Sequence, residues 1–310
     1  LWPKGTLCIT IAANIADTAI LGVDACFPDS VIGFIPDDSK SNVKYVKYLF
    51  DYTLQTEFKK FSQGAAQDNL SQEKLLSIKF PVPDIECQNR IVAILSDYDS
   101  AIDNARRQIA LLEEAAMRLY REWFSGAPSR EWSKSSILDN EIFQFVSSPV
   151  KRFPGKRIYY ATADVSGTAL VGSGERITFV NRPSRAAIQP IADSVWFARM
   201  SNSYKILLFS GDASLADRVV LSSGFAGFTS RPEWFGFVYY YIASKEFDEA
   251  KNRFATGATQ VSLTNAGLAK VQVSLPPKAL VESAKEHIKI LEDLNVQSSN
   301  GYLFFIIDKF

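Results

Sequence analysis

From Ile91 onward the apolar positions recur at alternating steps of four and three residues. They are Ile91, Leu95, Tyr98, Ile102, Ala105, Ile109, Leu112, Ala116, Leu119 and Trp123, the a/d seam of a heptad helix. No Pro or Gly interrupts Glu86 to Phe124. Acids stand early (Asp84, Glu86, Asp97, Asp99) and arginines late (Arg118, Arg121), which suits the helix dipole. A helix over 86–124 spans about 58 Å at 1.5 Å per residue. Its seam needs a partner helix. The spacing predicts one from Lys278, with His287, Leu291 and Leu294 on its seam, read as helix only as far as Gln297. His287 is read as a partly buried helix residue.

Before the rod, Thr6–Ile11, Ala19–Val23 and Val31–Ile35 carry the apolar and β-branched pattern of strands. Val43–Phe61 reads as a helix, Ser71 as the cap of a short one, and Ile78–Val82 as a last strand. After the rod the pattern returns. Strands are predicted at Val195–Met200, Phe225–Thr229 and Val271–Leu275, a helix at Gly236–Arg253, and a cap at Thr264. The region in front of these offers two more strands, Arg157–Thr162 and Ile177–Val180.

The similarity extends to residue identities. Phe61–Pro83 aligns without a gap on Phe254–Pro276 with seven identities in 23 pairs, including the run Gly-Ala-x-Gln-x-x-Leu. Val31–Phe34 matches Phe225–Phe228, and Ile94–Asp99 matches Ile290–Asn295. Gly5-Thr-Leu-Cys-Ile aligns with Asp193-Ser-Val-Trp-Phe. Two units at this period form a tandem pair of domains rather than a solenoid. The expected organisation is a first α+β domain over 1–85, a spacer helix over 86–124, a second domain over 125–277 and a second helix over 278–310. Residues 125 to about 192 have no partner in the first unit, so the first domain is expected to lack its front part.

Composition narrows the chemistry. The 310 residues are 47% hydrophobic and 22% charged, with Lys+Arg and Asp+Glu both 34, ordinary for a globular chain. No apolar run approaches a membrane span. Cys8, Cys26 and Cys87 form no CxxC pair and point to a reducing compartment. A single histidine argues against a Ser/His/Asp triad or a two-histidine metal site built in the usual way. No phosphate-binding GxxxxGK[ST] and no Asn/Asp-Pro-Pro-aromatic motif is present, so any catalysis is expected in partners. The zero net charge hides a local imbalance. Residues 150–205 hold nine bases and three acids.

The ordered set of Gly-Ala-x-Gln-x-x-Leu-Ser/Thr, a Pro-containing strand end, Gln88-x-x-Ile91-Val92-x-x-Leu95-x-x-Tyr98-Asp99 and Leu119-Tyr-Arg-Glu-Trp-Phe124 resembles the specificity subunit of type I restriction–modification systems. Cys87-Gln88 stands where that family usually has Glu-Gln, and the second copy lacks the Gln. The resemblance implies two target-recognition domains, each followed by a long helix, with the helices pairing as an antiparallel coiled coil. It also implies a cytoplasmic, non-catalytic protein that reads a bipartite site in double-stranded DNA. It would dock modification subunits, which carry S-adenosylmethionine, and a restriction subunit in the full complex. Within that reading, basic residues interleaved with aromatics are the DNA-binding candidates: Lys151, Arg152, Lys156 and Arg157, then Arg182 and Arg185. Lys59, Lys60 and Gln67, with Arg253, Thr259 and Gln260, flank the repeated Gly-Ala-x-Gln loop. That loop is read either as a backbone phosphate cradle or as a structural turn. The competing reading of the whole chain is a protein–protein adaptor with two binding domains spaced by a coiled coil.

Overall fold

In a computed structural model, residues 1–11, 17–61, 72–77, 79–125, 131–211, 213–258 and 260–283 are described, those at 54–61, 72 and 74 by backbone alone. The chain divides into two compact units, Leu1–Arg106 and Arg107–Phe310. The architecture is α+β.

In the first unit β1 (Leu7–Thr10) is the central strand between β2 (Thr18–Ile20) and β3 (Val31–Phe34), all antiparallel. Alternation along β1 sends Leu7 and Ile9 inward, both buried. They meet Val46 and Phe50 of α1 (Val43–Phe61) and Leu75 of α2 (Gln72–Ser77). Asn42 caps α1, its Oδ1 accepting from the backbone N–H of Lys44 at 2.9 Å. α3 (Ile85–Phe124) begins behind Asp84, whose carboxylate accepts from the N–H of Cys87 at 2.7 Å. Gln88, one turn in, is fully buried. Its amide donates to the carbonyls of Lys40 (3.0 Å) and Pro83 (2.9 Å), and its Oε1 accepts from the N–H of Asn42 (2.9 Å). One buried side chain thus places all three of its polar bonds on backbone groups, tying the start of α3 to the segment before α1.

The second unit runs through β4 (Ser133–Ser136), β5 (Gln144–Phe145), β6 (Arg157–Tyr160), β7 (Val165–Ser166), β8 (Ala169–Leu170), β9 (Glu175–Ile177), β10 (Ala186–Ile188), β11 (Ser194–Ala198) and β12 (Ile206–Phe209). It continues with α4 (Ala213–Arg218), β13 (Val219–Ser222), β14 (Phe225–Thr229), α5 (Phe235–Ile242), α6 (Lys245–Phe254), α7 (Asn265–Leu268) and β15 (Gln272–Leu275). Two four-stranded sheets result, in the orders β12-β11-β14-β5 and β10-β13-β6-β9. α5 is buried at every position and lies against the first of these sheets, in one core with Ala116, Tyr120 and Phe124 at the end of α3.

The internal repeat is carried by detail as well as by order. β1 sits between β2 and β3 as β11 sits between β12 and β14. Gly5 and Asp193, aligned in sequence, both have positive φ, 90° and 50°. The next residues, Thr6 and Ser194, are buried hydroxyls that each donate to the carbonyl three residues back, Pro3 and Ile191. Gly33 faces Cys8 across the ladder as Gly227 faces Trp196. A Cβ at Gly227 would lie 2.5 Å from the indole of Trp196, and one at Gly33 would lie 2.8 Å from the ring of Trp2. Trp196 is fully buried, whereas the rings over Gly33, Trp2 and Phe27, stack on each other and are only half-buried. Gly227→Ala is therefore expected to cost about 1–3 kcal/mol through overpacking, and Gly33→Ala clearly less. Thermal melting of the two variants checks this, and equal melting points would contradict it.

Three expectations change. Gly236–Arg253 is two helices, because Ser244 accepts from the N–H of Phe247 at 3.2 Å and caps a new start. The strand expected at Ile177–Val180 lies earlier, at β9, and Thr178 onward turns away, with the Thr178 hydroxyl accepting from Asn181 N–H. Lys79–Val82 forms no strand. Its counterpart β15 pairs with β4, and the described residues of the first unit supply no strand in that place. Thr264 caps α7 as expected, accepting from Gly267 N–H at 3.1 Å. Ser71 lies outside the described residues.

Candidate nucleic-acid interface

β9 and β10 are the two edges of the sheet β10-β13-β6-β9. The connection between them must cross its full width, about 14 Å at 4.8 Å per strand. Side-chain alternation gives this sheet two apolar faces. Ile158, Tyr160, Val219 and Leu221 point to one, and Tyr159, Ile177, Ala186 and Val220 to the other. The 178–185 connection and the segment 150–156 cover the second face, inserting Phe153, Phe179 and Val150. Segment 148–150 holds the β10 edge, with Val150 N–H donating to Ala187 O and Gln189 N–H to Ser148 O, both at 2.9 Å. Lys151–Lys156 then runs from that edge to β6.

The basic candidates are brought together here and divide into two kinds. Arg157 and Arg182 are held. The guanidinium of Arg157 lies 4.3 Å from the centre of the Phe153 ring and donates to Gln189 Oε1. Gln189 is itself fixed by donating to the carbonyl of Ala216 at 2.7 Å. Burial pushes the pKa of Arg157 down, with Asp217 opposing. Phe153 meets Phe179 edge-on, 5.8 Å between centres at 88°. Phe179 carries the guanidinium of Arg182 at 4.1 Å and accepts from it through its backbone carbonyl at 2.6 Å. The order Arg157, Phe153, Phe179, Arg182 is one continuous stack. Lys151, Arg152, Lys156 and Arg185 are exposed around it, and none of them makes an ion pair among the described residues. Arg176 on β9 is exposed on the same sheet.

In the second unit the residues flanking the repeated loop form a turn. Thr256 and Ser262 exchange backbone hydrogen bonds at 3.0 Å. A Cβ on Gly257, at φ 136°, would fall 2.4 Å from the carbonyl of Gln260. Arg199, half-buried and with its pKa lowered by burial, donates to Leu263 O and Asn265 Oδ1, both at 2.8 Å. Arg253 and Gln260 are exposed beside the turn. The side chains of Lys59 and Lys60, and Gln67 and Thr259 altogether, lie outside the described residues.

Along α3, Ala116 is buried and Ile91, Leu95, Ile109, Leu112, Leu119 and Trp123 are half-buried. Tyr98 is 66% exposed, Ile102 40%, and Ala105 is exposed. A helix begins at 278–283, 193 residues after the start of α3. Leu291 and Leu294 lie outside the described residues. The heptad pattern passes over Gln88, Val92, Tyr120 and Phe124, which are buried in the two units. It also passes over Phe179 and Gln189. No spacing signal marks those two, because their partners are fixed by packing across the sheet. Among the described residues, no helix is long and apolar enough to cross a membrane and no three metal-ligating side chains gather.

Residues 1–114 match the model of the type I restriction modification DNA specificity domain. The chain is 30% identical over 146 residues to the type I restriction enzyme MjaIX specificity subunit of Methanocaldococcus jannaschii, covering 46% of this chain and 34% of that protein. It is 22% identical over 285 residues to a putative type I restriction enzyme MjaX specificity subunit of the same organism, covering 84% and 63%. The chain thus spans between about a third and two thirds of the length of these relatives. A crystal structure of the S subunit of a type I system from M. genitalium aligns over 100% of this chain and 82% of that one, with 14% identity and a TM-score of 0.48. Residues 1–114 are thus similar to the DNA specificity domain of type I restriction–modification systems.

Proposed function

We propose that the chain is a non-catalytic specificity subunit that reads double-stranded DNA for a type I restriction–modification complex. In this reading each unit takes one half of a bipartite site. Modification subunits, which bring S-adenosylmethionine, dock on the helices, and a restriction subunit joins the full complex. The observation that carries the reading is the repeat. The first unit matches the specificity-domain family, and the second repeats its strand order, its positive-φ residue, its buried hydroxyl and its ladder glycine.

The exposed cations around the Phe153–Phe179 pair support DNA as the partner, since phosphate contacts supply most of the affinity for a duplex. Docking is tested by co-expression with the type I modification subunit of the same genome. A complex that survives size-exclusion chromatography is expected. Elution as two separate species would contradict the docking.

A further inference from the structure

The stack at the second unit is asymmetric, and its asymmetry distinguishes its two arginines. Arg157 is tied inward. It shares Gln189 with the carbonyls of Ala216 and Val219, and burial depresses its pKa. Arg182 is tied at one nitrogen only, through Nη1 to the carbonyl of Phe179. A guanidinium has five N–H donors in a fixed planar fork, so most of those on Arg182 have no partner among the described residues. Its side chain is half-exposed.

The support beneath Arg182 is stiff. The ring of Phe179 lies against its guanidinium, and Phe153 braces that ring edge-on. Thr178 holds the turn by accepting from Asn181 N–H at 3.2 Å, and Ala186 N–H closes on Pro183 O at 2.9 Å. A phosphate can be met by a point charge on a flexible stem as well as by a fork, so phosphate contact alone does not require such fixing. A fork held in one orientation loses little freedom on binding and suits an acceptor pair of matching geometry. Among the base edges of a duplex that pair is O6 and N7 of guanine, in the major groove.

We infer that Arg182 is a specificity-determining residue that reads one guanine, with Phe179, Phe153 and Arg157 as its positioning residues. The surrounding exposed cations contribute affinity without sequence preference. This rests on the DNA-reading function proposed above.

The test is selection from a random duplex library by the full chain, run for wild type, R182K, F179L and R152A, with duplex affinity measured against salt for each. Wild type should fix at least one guanine. R182K keeps the charge and loses the fork. It should retain the affinity for random duplex and the salt slope, while its preference at that guanine falls by about 5- to 150-fold. F179L, with an unchanged melting curve, should weaken the same position. R152A should lower affinity for all sequences alike and reduce the salt slope by about one. A guanine preference unchanged in R182K, or a loss spread evenly over all sequences, overturns the inference alone. Failure of the wild-type chain to bind any duplex overturns the DNA-reading function and the inference with it.

Discussion

Phe124→Ala is expected to destabilise the second unit by about 3–5 kcal/mol, the cost of emptying a buried phenylalanine site. Phe124 is the last residue of the long helix and is only 5% exposed. Its ring lies 5.5 Å from that of Tyr120 and 5.2 Å from that of Phe237, edge-on at 63° to the latter. Phe237 in turn meets Phe143 and Tyr241, so the helix end is enclosed by the aromatic core between α5 and the sheet. Tyr120, one turn earlier, has its pKa raised well above the ordinary phenol value by burial. Four of the five tryptophans, Trp123, Trp132, Trp196 and Trp234, belong to this unit, and fluorescence during denaturation reports mainly on it. Glu122→Ala, exposed on the same turn, should change stability by less than about 0.5 kcal/mol. A Phe124→Ala chain whose stability stays close to wild type would mean that the helix end is not part of this core.

That result bears on how the helix is read from sequence. The stretch free of Pro and Gly after Pro83 places its start within one residue of Ile85, and the helix ends at Phe124. The seam does not reveal which rows are buried. At the two ends the buried positions Gln88, Val92, Tyr120 and Phe124 are offset from the seam, which coincides with burial only at Ala116. Period alone treats every apolar row alike. Gln88 is the clearest case. It is a polar residue in a fully buried place, legible only once the carbonyls of Lys40 and Pro83 and the N–H of Asn42 are seen to converge on it. Its counterpart 193 residues on is Val281, also buried, so the second copy fills the same position with an apolar side chain.

The strands show the same division. β1, β3 and β14 are legible because alternation and the repeat agree. β12 and β13 are four-residue runs buried at every position. Such runs have no period to distinguish a strand from a piece of helix. Lys79–Val82 has strand composition, but a strand also needs a neighbour to receive its hydrogen bonds. At the interface, the cations are visible in the sequence. Nothing in it shows that Phe153 and Phe179, 26 residues apart, sort them into held and free.

The free ones carry the second large effect. Replacing Lys151, Arg152, Lys156 and Arg185 together by alanine should leave the melting curve near wild type, because all four are exposed and such sites change stability little. Duplex binding should respond strongly. Each phosphate that no longer meets a cation takes about 0.9 from the slope of log affinity against log salt, so four of them take up to about 3.5. At moderate salt the affinity should fall by several powers of ten. A chain of zero net charge that binds protein partners through apolar surface shows no such dependence, so the same experiment separates DNA reading from an adaptor role.

The most direct measurement is therefore the affinity of the unaltered chain for a double-stranded DNA as salt is raised. A steep linear fall is expected, and it should flatten in the four-fold alanine chain. Binding indifferent to salt, or a slope the same in both chains, would contradict this expectation.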